Sequence, residues 1–326
     1  MKTERSRAVD QGAAGPADHR GRATRRVCAV VALIALGGLA TMGVLGTRAA
    51  PPDFAAVRAE WTPSYAYLLD RDGEVVEANR VDFQRLRTSW VRVDAVSPAL
   101  RASVIAVEDR RFESHHGIDW RSILAAAWQS LTSPRRRGGS TITMQLAGLT
   151  VADNAAGAGG RSLVQKLRQM RTAWLLEDAW SKDQILEAYL NRVTFRGELQ
   201  GIDAAAQTLF GKAPSGLDAA ESLVLASLIA SPNAPADRVA ERACTLAAHG
   251  SLELSCADVQ QAALALGQRP SRIVVPSLAA HIANGLLTAP GQRVRTTLSA
   301  PLQQLATDVL ARQLGALGEH NVRDGR

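Results

Sequence analysis

From Val27 to Gly46 the chain runs for twenty residues without a charged side chain. That is the length an α-helix needs to cross the hydrocarbon core of a bilayer. A segment of this kind divides the chain into what lies before the membrane and what lies after it. Arg20, Arg22, Arg25 and Arg26 precede the run, so the positive-inside bias keeps the N-terminus in the cytoplasm and sends everything beyond Arg48 outside. A cleaved signal peptide is the competing reading. Its apolar region is normally shorter, but Thr47-Arg48-Ala49-Ala50 leaves it open. Residues 1–26 are rich in Arg, Gly, Ala and Asp with no helical or strand period, the composition of a disordered basic tail. Seven Lys/Arg against three acids place +4 of the net +7 there. The +3 left for the body, with no basic helix interleaved with aromatics, excludes a nucleic-acid partner.

Beyond the span, Pro51-Pro52 opens a short linker, and Tyr65 to Val76 reads as two strands around the Asp-Gly turn at Asp72-Gly73. Ser97-Pro98 has the form of a helix start, a cap followed by Pro at the first helical position. Helices dominate from there onward. Ser162 with Gln165 and Ser181 with Gln184 fit the capping box. Ala152 to Gly160 lacks bulky side chains and reads as a flexible loop. Of three cysteines, Cys28 is in the apolar run, while Cys244 and Cys256 lie on the outer side. An oxidising compartment favours pairing them, against two buried free thiols. Neither cysteine has the spacing of a zinc site, and no metal ligand set stands out.

Chemistry is concentrated just after the helix that opens at Ser97. Glu108 has Ile105 three residues before and Phe112 four after, so its carboxylate is expected on an apolar stripe, partly desolvated and a stronger base for it. Asp109, His115, His116 and Asp119 follow, with Gly117 as a turn. The stretch Glu108-Asp109-Arg110-Arg111-Phe112-Glu113-Ser114-His115-His116-Gly117-Ile118-Asp119 resembles the first motif of glycosyltransferase family 51, the transglycosylase domain of class A penicillin-binding proteins and monofunctional transglycosylases. Gly138 to Leu146 (GGSTITMQL) resembles the second motif. Ser181 to Asn191 (SKDQILEAYLN), Gly201 to Lys212 (GIDAAAQTLFGK) and Ser227 to Pro235 (SLIASPNAP) follow in order. Met144 and the Leu199-Gln200-Gly201 run look most like the penicillin-binding protein 1C branch.

The resemblance implies a mainly α, lysozyme-like domain over about 94–240, with a small β-hairpin and linker over 51–93 and a helical extension over 241–326. It implies attack of the GlcNAc 4-hydroxyl of lipid II on the anomeric carbon of a growing, undecaprenyl-pyrophosphate-linked strand. Glu108 matches the family's base. The pyrophosphate leaving group needs charge stabilisation, for which Lys166, Arg168 and Arg135-Arg136-Arg137 are candidates. Ser140, Thr141, Thr143 and Gln145 offer hydrogen bonds to sugar and phosphate oxygens, and Asp109, Phe112, His115, Gly117 and Asp119 complete the candidate substrate site. Apolar Ile123, Leu124, Trp128 and Leu131 suit the membrane interface where a lipid substrate enters. The partners implied are lipid II, the glycan strand and membrane lipid, with other cell-wall synthesis proteins as candidates. No cofactor is required; whether a divalent metal stimulates the reaction is left open.

Three departures stand out. The family's second carboxylate falls on Gln169, so a Gln169→Glu change is expected to keep or raise activity. Gly148 stands where a basic residue is usual, and Arg196 replaces a Gly. Arg295-Thr296-Thr297-Leu298 with Pro301-Leu302-Gln303 resembles the connector toward a transpeptidase domain, and no Ser-x-x-Lys occurs to supply its nucleophile. These features support an alternative, a catalytically weakened, membrane-tethered scaffold that still binds lipid II. A glycan hydrolase is the third reading, and it is disfavoured because it requires two carboxylates across the bond.

Overall fold

The computed structural model describes residues 51–132, 139–150, 163–249, 254–267 and 276–317. The basic tail, the Val27–Gly46 run, Arg135-Arg136-Arg137, the 152–160 loop and the Ser162 cap lie outside the described residues. Among the described residues no helix is long and apolar enough to cross a membrane.

Helices carry most of the structure. The central one, α8 (Ala219–Ile229, AAESLVLASLI), buries nine of its side chains. A helix apolar on every face must be surrounded by protein. Its start is fixed by a capping box, in which the Asp218 carboxylate accepts from the Glu221 amide and the Glu221 side chain accepts from the Asp218 amide. Around it pack α2 (Pro98–Glu108), α9 (Ala236–His249) and α10 (Cys256–Ala263). On the far side of the site, α4 (Ile142–Thr150) lies against α5 (Leu163–Ala179) and α6 (Lys182–Arg192). The same core joins both groups through Leu100, Val104, Ile142, Leu146, Leu176 and Tyr189.

The Ser181–Gln184 capping box read from the sequence is present at the start of α6. Two polar residues of that helix hold the segment ahead of α2. Glu187 accepts from Trp90 Nε1 at 2.7 Å and from the Val93 amide at 2.8 Å, and Asn191 exchanges bonds with Val91 in both directions. The first helix, α1 (Phe54–Ala59), docks Phe54 edge-on against Trp180 and Trp90.

The hairpin expected around Asp72-Gly73 forms from β1 (Tyr65–Leu69) and β2 (Val75–Arg80), antiparallel, with Tyr67 opposite Ala78. Gly73 takes φ +93°, as the turn requires. A third strand was not legible. β5 (Arg293–Arg295) runs parallel to β1 with Leu68 opposite Val294, giving the order β2-β1-β5. The 295–298 segment, read from the sequence as linker, is therefore built into the fold. Asp70 ties the ends together, accepting from the amides of Asp72, Glu74 and Ala300. A short second hairpin, β3 (Thr194–Arg196) and β4 (Leu199–Gln200), leads into α7 (Ile202–Phe210).

Candidate active site

Helix α2 starts at Pro98, but Ser97 does not cap it with its side chain. The Ser97 hydroxyl instead donates to the Leu217 carbonyl at 2.8 Å, fastening the start of α2 to the residues before α8. The helix ends at Glu108, because Asp109 leaves helical geometry at φ −158°, ψ 76°. Phe112 is therefore not a helical neighbour of Glu108, as the spacing had suggested. It lies in a separate 3₁₀ turn (Phe112–Ser114), fully buried, with the Lys182 ammonium 4.5 Å from its ring centre.

Turning the chain at Asp109 aims its carboxylate at the second motif. It accepts from the Ile142 amide at 3.0 Å and from His115 Nε2 at 2.9 Å. The first turn of a helix leaves amides without intrahelical partners, so Asp109 joins the end of α2 to the beginning of α4. Thr141 strengthens the joint. Its hydroxyl donates to the Gly117 carbonyl at 2.6 Å and accepts from the Met144 amide at 3.1 Å. Gly117 itself takes φ +75°, and a Cβ there would lie 2.7 Å from the Ala173 carbonyl oxygen. Backbone conformation and close approach both demand glycine.

These joints shape a cleft of about 590 Å³ lined by Glu108, Asp109, Asp119, Ser140, Thr141 and Gln145 from the sequence-assigned set. Lys166 reaches its edge, donating to the Ser140 hydroxyl at 2.6 Å. Glu108 accepts from Gln145 Nε2 at 2.7 Å, and Tyr189 donates from its hydroxyl to Gln145 Oε1 at 2.8 Å. Burial pushes Glu108 above the ordinary glutamate range, while the Gln145 amide and the Arg242 charge pull it back. Asp119 goes the other way. Burial raises it, but the Ser122 hydroxyl and amide and the Arg111 guanidinium outweigh that and hold it at about 2. Its bonds to Ser122, in the first turn of α3 (Trp120–Thr132), make it that helix's cap.

Other residues of the set are placed elsewhere. Thr143 is fully buried and donates to Glu177 at 2.6 Å, away from the cleft. His115 is buried behind Asp109. Arg168 is exposed on α5 and does not line the cleft. Gln169, expected in the cleft at the second carboxylate position, is fully buried between α5 and α4. Its Nε2 donates to the Met144 carbonyl, and its Oε1 has no hydrogen-bond partner among the described residues. The motif match alone was the basis for expecting Gln169 in the cleft. The packing of α5 against α4 instead turns 169 inward while Lys166 faces Ser140. Arg196, a departure from the family pattern, donates to the Ala234 carbonyl at 3.0 Å, and Gly148 is buried within α4.

The sequence missed α9's contribution. Arg242 and Leu246 line the cleft from that helix, and Arg242 is braced by the Ser227 carbonyl at 3.0 Å and by Ser231 Oγ at 3.3 Å. Nothing in its local sequence marks it, because only the packing of α9 on α8 brings it near Glu108. The helix is pinned by the Cys244–Cys256 disulfide, with Cα atoms 4.9 Å apart, which settles the pairing left open above. Among the described residues no group of three His, Cys, Asp or Glu side chains could hold a metal ion.

Comparison with known proteins identifies the family. The transglycosylase family pattern matches residues 72–249, which includes every cleft residue named here. The chain is 36% identical over 171 residues to a biosynthetic peptidoglycan transglycosylase of Pasteurella multocida, covering 52% of this chain and 67% of that protein. It is 38% identical over 162 residues to the protein of that name in Rhodospirillum centenum, covering 48% and 68%. Against penicillin-binding protein 1C of Escherichia coli it is 44% identical over 158 residues, 47% of this chain but 19% of that longer protein. With its first two motifs lining one cleft and more than half its length matched, this chain belongs to the transglycosylase family.

Proposed function

We propose that this chain is a peptidoglycan glycosyltransferase that polymerises lipid II into glycan strands for the cell wall. The observation that carries the reading is Glu108, a carboxylate desolvated at the wall of an open cleft, raised in pKa and held by a side-chain donor. Attack by a sugar hydroxyl needs a base at the moment the new bond forms. Glu108 takes the proton of the acceptor GlcNAc 4-hydroxyl as its oxygen bonds the donor's anomeric carbon from the face opposite the leaving group. The carbon–oxygen bond to the undecaprenyl pyrophosphate breaks, with inversion, and the electron pair leaves with the phosphate. Lys166 at the Ser140 edge and Arg110 on the cleft wall supply positive charge for that anion.

Gln169 is assigned a structural role in this account, so its lack of a carboxylate does not count against activity. The fold is read as the lysozyme-like one, with the Val27–Gly46 run as its single membrane anchor and the cleft on the extracytoplasmic side. Trp120, Leu124 and Trp128 support that placement. They are exposed at four-residue spacing along α3, one stripe of the helix, next to the cleft residues Asp119 and Ser122. Aromatic residues of this kind favour the membrane–water interface.

The test is polymerisation of purified lipid II in detergent or vesicles, read as glycan strand length. Wild type forms strands and Glu108→Gln does not. Lipid II binding by both proteins without polymerisation by either would replace the enzyme with a scaffold.

A further inference from the structure

A glutamine amide can face a carboxylate in two ways, and only one of them helps. With the NH₂ toward Glu108 it donates; with the oxygen toward Glu108 two sets of lone pairs oppose each other. Gln145 Nε2 sits 2.7 Å from Glu108 Oε2, and on the other side Tyr189 Oη sits 2.8 Å from Gln145 Oε1. Tyr189 is fully buried on α6, which packs directly against α4. We propose that Tyr189 is a positioning residue for the base: its hydroxyl donates to Gln145 Oε1 and so locks the amide with its NH₂ toward Glu108. The proposal rests on the reading of Glu108 as the base.

A phenol can take this role because it remains a donor across the working range. Burial pushes the Tyr189 hydroxyl well above its ordinary pKa, and the negative charges of Glu108 and Asp109 push the same way. Were the amide reversed, Nε2 would meet the tyrosine oxygen, and the phenolic proton would have no acceptor among the hydrogen bonds this buried ring makes. The arrangement thus couples α6 to the cleft through α4, without Tyr189 touching the substrate. The other charged groups lining the cleft with Glu108 are Asp109 beside it, Asp119, Arg242 from α9, and Arg110 and Arg111. None of them contacts the Gln145 amide oxygen among the described residues. Removing the tyrosine hydroxyl therefore changes the orientation of one donor and leaves the surrounding charges in place.

The test is a double-mutant cycle on lipid II polymerisation with Tyr189→Phe, Gln145→Leu and the pair. A hydrogen bond to a charged group corresponds to about tenfold or more in an equilibrium or rate. Tyr189→Phe is expected to lower kcat about tenfold with KM little changed, and to move the acidic limb of the pH–rate profile upward, since a freed amide stabilises the carboxylate less. In the Gln145→Leu background the same change should have no further effect on kcat. Thermal unfolding of each variant, followed by circular dichroism, checks that the fold is kept. A wild-type pH profile and kcat in Tyr189→Phe would overturn the proposal. So would an equal loss in both backgrounds, which would mark Tyr189 as packing alone. An inactive wild type would instead overturn the reading of Glu108 on which the proposal rests.

Discussion

Glu108 and Gln169 show how differently one chain can treat two positions that a motif pairs. Glu108 closes a helix, faces a cleft and carries a raised pKa. Because a base works in its ionised form, the acidic limb of the pH–rate profile for polymerisation should lie above the value of an ordinary glutamate; a limb at or below it would contradict the assignment. Gln169 has a donor bound to the Met144 carbonyl in a fully buried site. A carboxylate there would lose that donor and place its oxygens against the carbonyl. Contrary to what the motif alone suggested, Gln169→Glu should lower stability by about 1–3 kcal/mol, read from the denaturant midpoint, and should not raise activity. A Gln169→Glu protein as stable as wild type would refute the structural role. Asp119 carries a third prediction. Its folded pKa of about 2 lies below the ordinary value of 3.8, so its stabilising contribution is present above about pH 4 and is lost as pH falls through about 2. The Asp119→Asn protein should show a flatter decline in melting temperature across that window.

At the scale of elements, much was readable where one local rule decided the outcome. The Asp-Gly turn gave a hairpin, Ser181–Gln184 a capping box, and the Ser97-Pro98 pair a helix start. The candidate cleft was half legible. Asp109, Ser140, Thr141 and Gln145 sit in contiguous motifs, while Arg242 and Tyr189 reach the site only because α9 packs on α8 and α6 on α4. Thr143 and Gln169 came from the motif match and lie buried away from the cleft, since a motif names residues but not the neighbour each side chain meets. The disulfide follows this pattern: spacing allowed it, and the approach of α9 to α10 decided it. Replacing both cysteines by serine should cost about 3 kcal/mol or less, given the short loop closed, as measured by reversible unfolding under oxidising conditions. Loss of the bond should also loosen the helix that carries Arg242, so polymerisation should fall further than stability alone accounts for.

For the whole molecule, two distant stretches share one small sheet. β5 hydrogen-bonds alongside β1, with the Tyr67 amide donating to the Gln292 carbonyl at 2.7 Å and the Thr296 amide to the Leu69 carbonyl at 2.9 Å. Those two amides should exchange with solvent together in hydrogen-exchange measurements, as one cooperative unit; fast exchange at Thr296 with protection at Tyr67 would show that β5 is not integral. The central expectation is that a desolvated Glu108 drives glycan polymerisation in a protein whose Gln169 is structural. The most direct measurement is strand formation from purified lipid II by the wild-type and Glu108→Gln proteins side by side, with lipid II binding measured in parallel. Strands from wild type, binding by both, and a loss of about 10²–10⁴-fold in the variant are expected. Equal polymerisation by the two proteins would contradict this expectation.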